Sequence, residues 1–142
     1  RKRPKNRRNG CLMCKAHKDE RHSLAAESDF GADRIWKFEV NLPESAKPLD
    51  DRLTALMAPL GIARGAALAG DGTDVEPAHK DGVAAIDLAQ SGIRYFDLHH
   101  TPDDTLDKID PDQLRQNVAA WTAMLAEVAN APEEIGKVTP RP

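Results

Sequence analysis

With 142 residues, 40% of them hydrophobic and 4% aromatic, the chain is sized for one domain with a core of small and aliphatic side chains. Two cysteines exclude a disulfide framework, and no apolar run reaches the length of a membrane span or follows the basic N-terminus as a signal peptide requires. The net charge of −3 is uneven: residues 1–10 hold six basic side chains and no acid, which leaves −9 on the rest.

The basic stretch Arg1 to Gly10 suits either a nucleic-acid contact or a solvated tail. It has no aromatic side chain to stack a base, and the acidic body disfavours nucleic acid, so the tail is the preferred reading. Cys11, Cys14, His17 and His22 follow as Cys-x2-Cys-x2-His-x4-His. These are zinc donors, but the gap between Cys14 and His17 is shorter than a finger loop needs. The chain begins with Arg1 rather than Met, as a fragment or processed product does. Residues 1–15 are expected to lie outside the fold, as a stretch read in another frame would. Residues 16–131 form the body and 132–142 a second tail.

Within the body, His22 to Asp29 is a small-residue apolar run ending in acids, which suits a buried strand with carboxylates at its C-terminal end. Asp29 is also a natural turn residue, with Phe30-Gly31 behind it. Trp36, Phe38, Val40 and Leu42 alternate with Lys37, Glu39 and Asn41, the pattern of a half-buried strand with the first set inward. Leu49, Leu53, Leu56, Met57 and Leu60 keep helical spacing, with Asp50 and Asp51 in the first turn and Pro59 and Gly61 closing the helix. A short strand is predicted within 62–68. Asp74 sits in a glycine-rich turn, and His79 is read as a surface loop residue. Residues 83–88 form the next strand.

The densest chemistry lies at residues 97–111, where two histidines and five aspartates follow an apolar run. By composition this is a polar strand-to-helix connection whose acids solvate the turn and cap the helix. It is also the place where α/β proteins set metal or catalytic groups. Asp110 suits the N-cap, Pro111 the first helical position, and Gln113 can complete a capping box. The helix over 111–131 carries Leu114, Val118, Trp121, Leu125 and Val128 on the face expected to pack on the sheet, and Pro132 stops it.

The order His100-Thr101-Pro102-Asp103-Asp104-Thr105, then Leu106-Asp107-Lys108-Ile109-Asp110-Pro111, closely resembles the last metal-ligand motif of the co-catalytic di-zinc exopeptidases, metallopeptidase family twenty-eight. The resemblance runs on through Gln116-Asn117-Val118-Ala119-Ala120 and back to Glu27-Ser28-Asp29, across roughly residues 16 to 131.

It implies the C-terminal part of a layered α/β fold, a mixed sheet with helices packed on it. It also implies an aminopeptidase or dipeptidase that hydrolyses peptide substrates with two zinc ions. In such sites the ions sit about 3.5–4 Å apart, acidify a bridging water and polarise the scissile carbonyl. On this resemblance His100 is a ligand of one zinc and Asp29 of the other, while Asp104 orients the His100 ring or braces its loop.

The family's His-x-Asp pair and adjacent Glu pair have no counterpart in this sequence, so the isolated chain is expected to be inactive. Part of a layered sheet leaves an edge exposed and invites self-association. The family is often exported, although no export signal is visible in this sequence. The alternative from another class is a small binding module that uses the basic tail and Cys/His cluster for nucleic acid or zinc.

Overall fold

A computed structural model of the chain describes residues 24–27, 33–69, 76–99 and 101–139. Four strands, β1 (Leu24–Glu27), β2 (Ile35–Asn41), β3 (Ala63–Arg64) and β4 (Ala84–Gln90), join in one sheet in the order β1-β4-β2-β3. β1 runs parallel to β4, with Glu27 opposite Asp87. β2 runs antiparallel to β4, with Val40 opposite Ile86, and parallel to β3. The architecture is the α/β mixed sheet that the sequence predicts. The strand expected within 62–68 is cut to two residues.

The alternation in β2 is broken by a bulge. Ile35 pairs with Gln90 and Lys37 with Ala89, so two residues of β2 oppose one of β4. The slip turns Ile35 inward and leaves Trp36 53% exposed, with the Lys37 ammonium 5.1 Å over its ring. Trp36 was expected inside, and the bulge is the reason it is not. Phe38 and Val40 pack inward as predicted. Glu39 and Asn41, expected on the solvent face, are buried as well, and the backbone at Gly65, just after β3, lies against the Glu39 side chain. Glu39 pairs there with the Lys37 ammonium at 2.7 Å.

Helix α1 (Lys47–Met57) forms where the helical spacing predicts, behind a 3-10 turn at Glu44–Ala46. Leu49, Leu53 and Met57 are buried, whereas Leu56 faces outward. Asp50 accepts from Arg64 Nε at 2.8 Å, which ties α1 to β3. The helix closes through a 3-10 turn at Ala58–Leu60 onto Gly61, whose φ of 72° is the left-handed conformation that glycine adopts freely. α2 (Glu76–Lys80) is a short helix where a loop around His79 was expected. α3 (Tyr95–Leu98) is a single turn after β4.

α4 (Pro111–Ala129) has the predicted extent, but its buried face is not the predicted one. Asn117, Ala120 and Met124 are buried, with Trp121 and Val128 packed beside the core, while Leu114, Val118 and Leu125 are exposed. The core gathers Ile35, Phe38, Leu49, Leu53, Met57, Ile86, Leu88, Met124 and Ile135. Each such side chain contributes roughly 1.5–3 kcal/mol by leaving water.

Ile135 belongs to the segment expected as a tail. Residues 133–138 instead return along the sheet. Arg52 forks onto the Glu133 carboxylate at 2.7 and 2.8 Å, Lys137 bridges Val83, and the Val138 N–H donates to the Gly82 carbonyl at 2.9 Å. An apolar residue between two such anchors is drawn into the core, and Ile135 is 1% exposed. Among the described residues no helix is long and apolar enough to cross a membrane.

Candidate active-site rim

The strand directions bring three chain segments to one rim of the sheet. β1 and β4 are parallel and end there, and β2, antiparallel to β4, starts there. The carboxyl ends of parallel strands are where α/β proteins bind ligands. The Ser91 N–H donates to the Arg34 carbonyl at 2.9 Å, which closes the rim between the end of β4 and the start of β2.

A cavity of about 410 Å³ opens at this rim. Tyr95, Leu98, Leu106 and Ile109 supply its apolar wall, and Asp33, Arg94, His99 and Asp104 bring charge and imidazole to it. The His99 ring stacks on Tyr95 with centroids 4.3 Å apart and planes 19° apart. Arg94 grips Asp33 with two nitrogens: Nε lies 3.2 Å from Oδ2, and Nη2 meets Oδ1. Its Nη1 donates to the Lys108 carbonyl at 3.3 Å. The hydrogen bonds it donates to Asp33 raise the pKa of the guanidinium above its usual value.

The loop after α3 is braced by its own hydroxyls. Thr101 Oγ1 donates to the Leu98 carbonyl at 2.7 Å and accepts from the Asp103 N–H at 3.2 Å. Thr105 Oγ1 donates to Asp107 Oδ1 at 2.6 Å. The Asp104 N–H donates to the Thr101 carbonyl at 3.1 Å, and Asp104 lines the cavity.

α4 then holds the start of β2. Asp110 caps the helix as predicted, its Oδ1 accepting from Asp112 and Gln113 N–H at 2.8 and 3.1 Å. The Gln113 and Asp112 amides hold the Asp110 carboxyl below the usual carboxylate range. Gln113 turns its side-chain oxygen to the Arg34 N–H at 2.6 Å. Gln116 accepts from the Ile35 N–H at 3.0 Å and donates to the Ile35 carbonyl at 2.7 Å. Asn117 donates to the Asp33 carbonyl at 3.0 Å and accepts from the Ile35 N–H at 3.3 Å.

Asp29 and His100, the sequence-predicted zinc ligands, lie outside the described residues, as do Cys11, Cys14, His17, His22 and Asp74. Asp104 and His99 are brought to one cavity. Asp33 and Arg94 were not singled out in the sequence, because neither sits in a motif; their pairing across 61 positions exists only in the fold.

Residues 13–125 match the sequence model of Peptidase family M28. The chain belongs to this family. Among M28 relatives, carboxypeptidase Q of Bos taurus is 30% identical over 112 residues, which is 79% of this chain and 24% of that protein. Carboxypeptidase Q of Homo sapiens gives the same identity and coverage, and that of Mus musculus is 26% identical over 113 residues. The crystal structure of a Peptidase M28 precursor from Shewanella amazonensis SB2B superposes with a TM-score of 0.75 at 42% identity, over 84% of this chain and 27% of that one. The chain thus spans about a quarter of the length of the curated M28 relatives that it matches.

Proposed function

We propose that this chain is part of a two-zinc exopeptidase of the aminopeptidase or dipeptidase type, in which Asp29 and His100 each hold one metal ion. The observation that carries this reading is the shared rim. β1, which ends two residues before Asp29, and β4, which leads to His100, are parallel neighbours. Asp104 and His99 line the cavity beside them, and Asp104 braces the His100 loop or orients its ring. The apolar wall of that cavity offers a peptide substrate a place to lie.

Carboxylate and imidazole are donor types that zinc takes, but two donors do not fill a four-coordinate shell. Among the described residues, no three or more His, Cys, Asp or Glu side chains gather into a further donor group. When bound, a zinc pair supplies an acidified water and an electrophile for the peptide carbonyl. No residue of this chain is assigned as general base, and the isolated chain is inactive in this reading.

The test is hydrolysis of an aminoacyl-nitroanilide with zinc, first by the chain alone and then with a segment bearing the His-x-Asp and Glu-Glu motifs supplied in trans. Activity is expected only in the second case. Asp29→Ala or His100→Ala should then lower it by more than roughly a hundredfold, the upper end for outer-shell partners. Full activity in both variants would overturn the ligand assignment.

Self-association belongs to the same proposal. β1 is hydrogen-bonded to β4 on one side and to no other described strand, and unpaired strand edges recruit further strands. Light scattering across a dilution series tests this: a mass that stays monomeric at every concentration rejects it.

A further inference from the structure

We propose that Arg94 is a positioning residue that sets the spacing of the loops around the rim. It rests on the exopeptidase reading for the roles of those loops, but its geometry stands apart from that reading. Asp33 lies four residues after Asp29, and Arg94 six residues before His100. Lys108 lies four residues after Asp104 and two before the cap of α4. One guanidinium therefore joins the stretch behind one candidate ligand, the stretch ahead of the other, and the far end of the Asp104 loop.

The geometry needs arginine. A planar fork engages a carboxylate with two nitrogens and still presents a third to a carbonyl in another direction. A lysine ammonium keeps the charge but cannot hold this arrangement. Asp33 and Ile35 are fixed on their other side by Asn117 and Gln116 of α4, so the carboxylate that Arg94 grips is itself on a rigid support. Asp33, Arg94 and Lys108 all line the cavity, so loosening the tie changes its shape.

Amide hydrogen exchange in the whole chain tests the tie without any metal. Lys108 and Ile109 N–H groups close the 3-10 turn onto Thr105 and Leu106, and the Arg34 N–H is held by Gln113. In Arg94→Ala these three amides should exchange about threefold faster, the scale of a partly exposed ion pair, with amides of central β4 unchanged. Arg94→Lys should fail to restore the slow exchange. In Asp33→Asn the Arg34 amide should quicken more than those of Lys108 and Ile109.

A parallel zinc titration against a chromophoric chelator reads the link to the metal. Arg94→Ala should weaken zinc binding roughly tenfold. If wild type takes up no zinc while the exchange pattern holds, the tie stands and the metal reading falls. Unchanged exchange at Lys108 and Ile109, full rescue by lysine, or, where wild type does take up zinc, equal affinity in Arg94→Ala overturns the proposal.

Discussion

The Asn117 side chain and the Asp33 backbone are 84 positions apart in the sequence and 3.0 Å apart in the fold. Asn117 is 5% exposed and gives its NH2 to the Asp33 carbonyl and its oxygen to the Ile35 N–H, much as a neighbouring strand does. Replacing it with leucine keeps the volume and removes both partners. The Ile35 N–H retains Gln116, but the Asp33 carbonyl loses its amide donor. The expected cost is about 1–3 kcal/mol, and Asn117→Asp should also destabilise because it keeps the acceptor and loses the donor. Urea unfolding of the three proteins measures this; no loss in Asn117→Leu would mean that water or another donor serves the carbonyl.

Ile135→Ala tests whether the last described segment belongs to the core. A residue in a free tail is neutral to truncation, whereas a fully packed isoleucine loses about 2–5 kcal/mol. With Ile135 1% exposed, the larger value is expected in chemical denaturation. Glu133→Gln removes the charge partner of Arg52 and should cost less, since Arg52 retains Glu127.

The outward stripe of α4 makes the opposite prediction. Leu114, Val118 and Leu125 are 42%, 58% and 44% exposed. Val118→Gln should change the stability of the monomer by no more than about 0.5 kcal/mol, as surface substitutions do. A loss of several kcal/mol in dilute solution would show that this face is covered in the monomer.

Acid should unfold the chain in part through Asp110. Its folded-state pKa lies below the ordinary 3.8 because the Gln113 and Asp112 amides favour the carboxylate. A depressed pKa stabilises the fold above the unfolded value, and that stabilisation is lost as pH falls through the folded value. Asparagine caps a helix about as well without titrating. Asp110→Asn should therefore resemble wild type at pH 7 and lose less melting temperature between pH 4 and pH 2. Parallel acid limbs for the two proteins would remove Asp110 from the account.

Sequence pattern located the elements better than their faces. α1 and α4 follow helical spacing, and β4 follows its apolar run, so these were legible. The inner face of α4 was not, because hydrophobic periodicity favours Leu114, Val118 and Leu125. The fold instead turns Gln116 and Asn117 inward, where the backbone at the start of β2 needs donors and acceptors. The parity of β2 was lost to one bulge, which no alternation pattern encodes. At the site, the His-Thr-x-x-Asp-Thr order led to Asp104. The Arg94–Asp33 pair was invisible because nothing local distinguishes one arginine or aspartate from the others.

The way the rim is built bears on when it can come into being. Asp33 emerges from the ribosome long before Asn117, and the strand beside β1 is itself a late arrival. Distant partners of this kind make a slow, high-contact-order assembly. A nascent chain released before α4 is complete would carry β2 without the side chains of Gln113, Gln116 and Asn117 that hold its start.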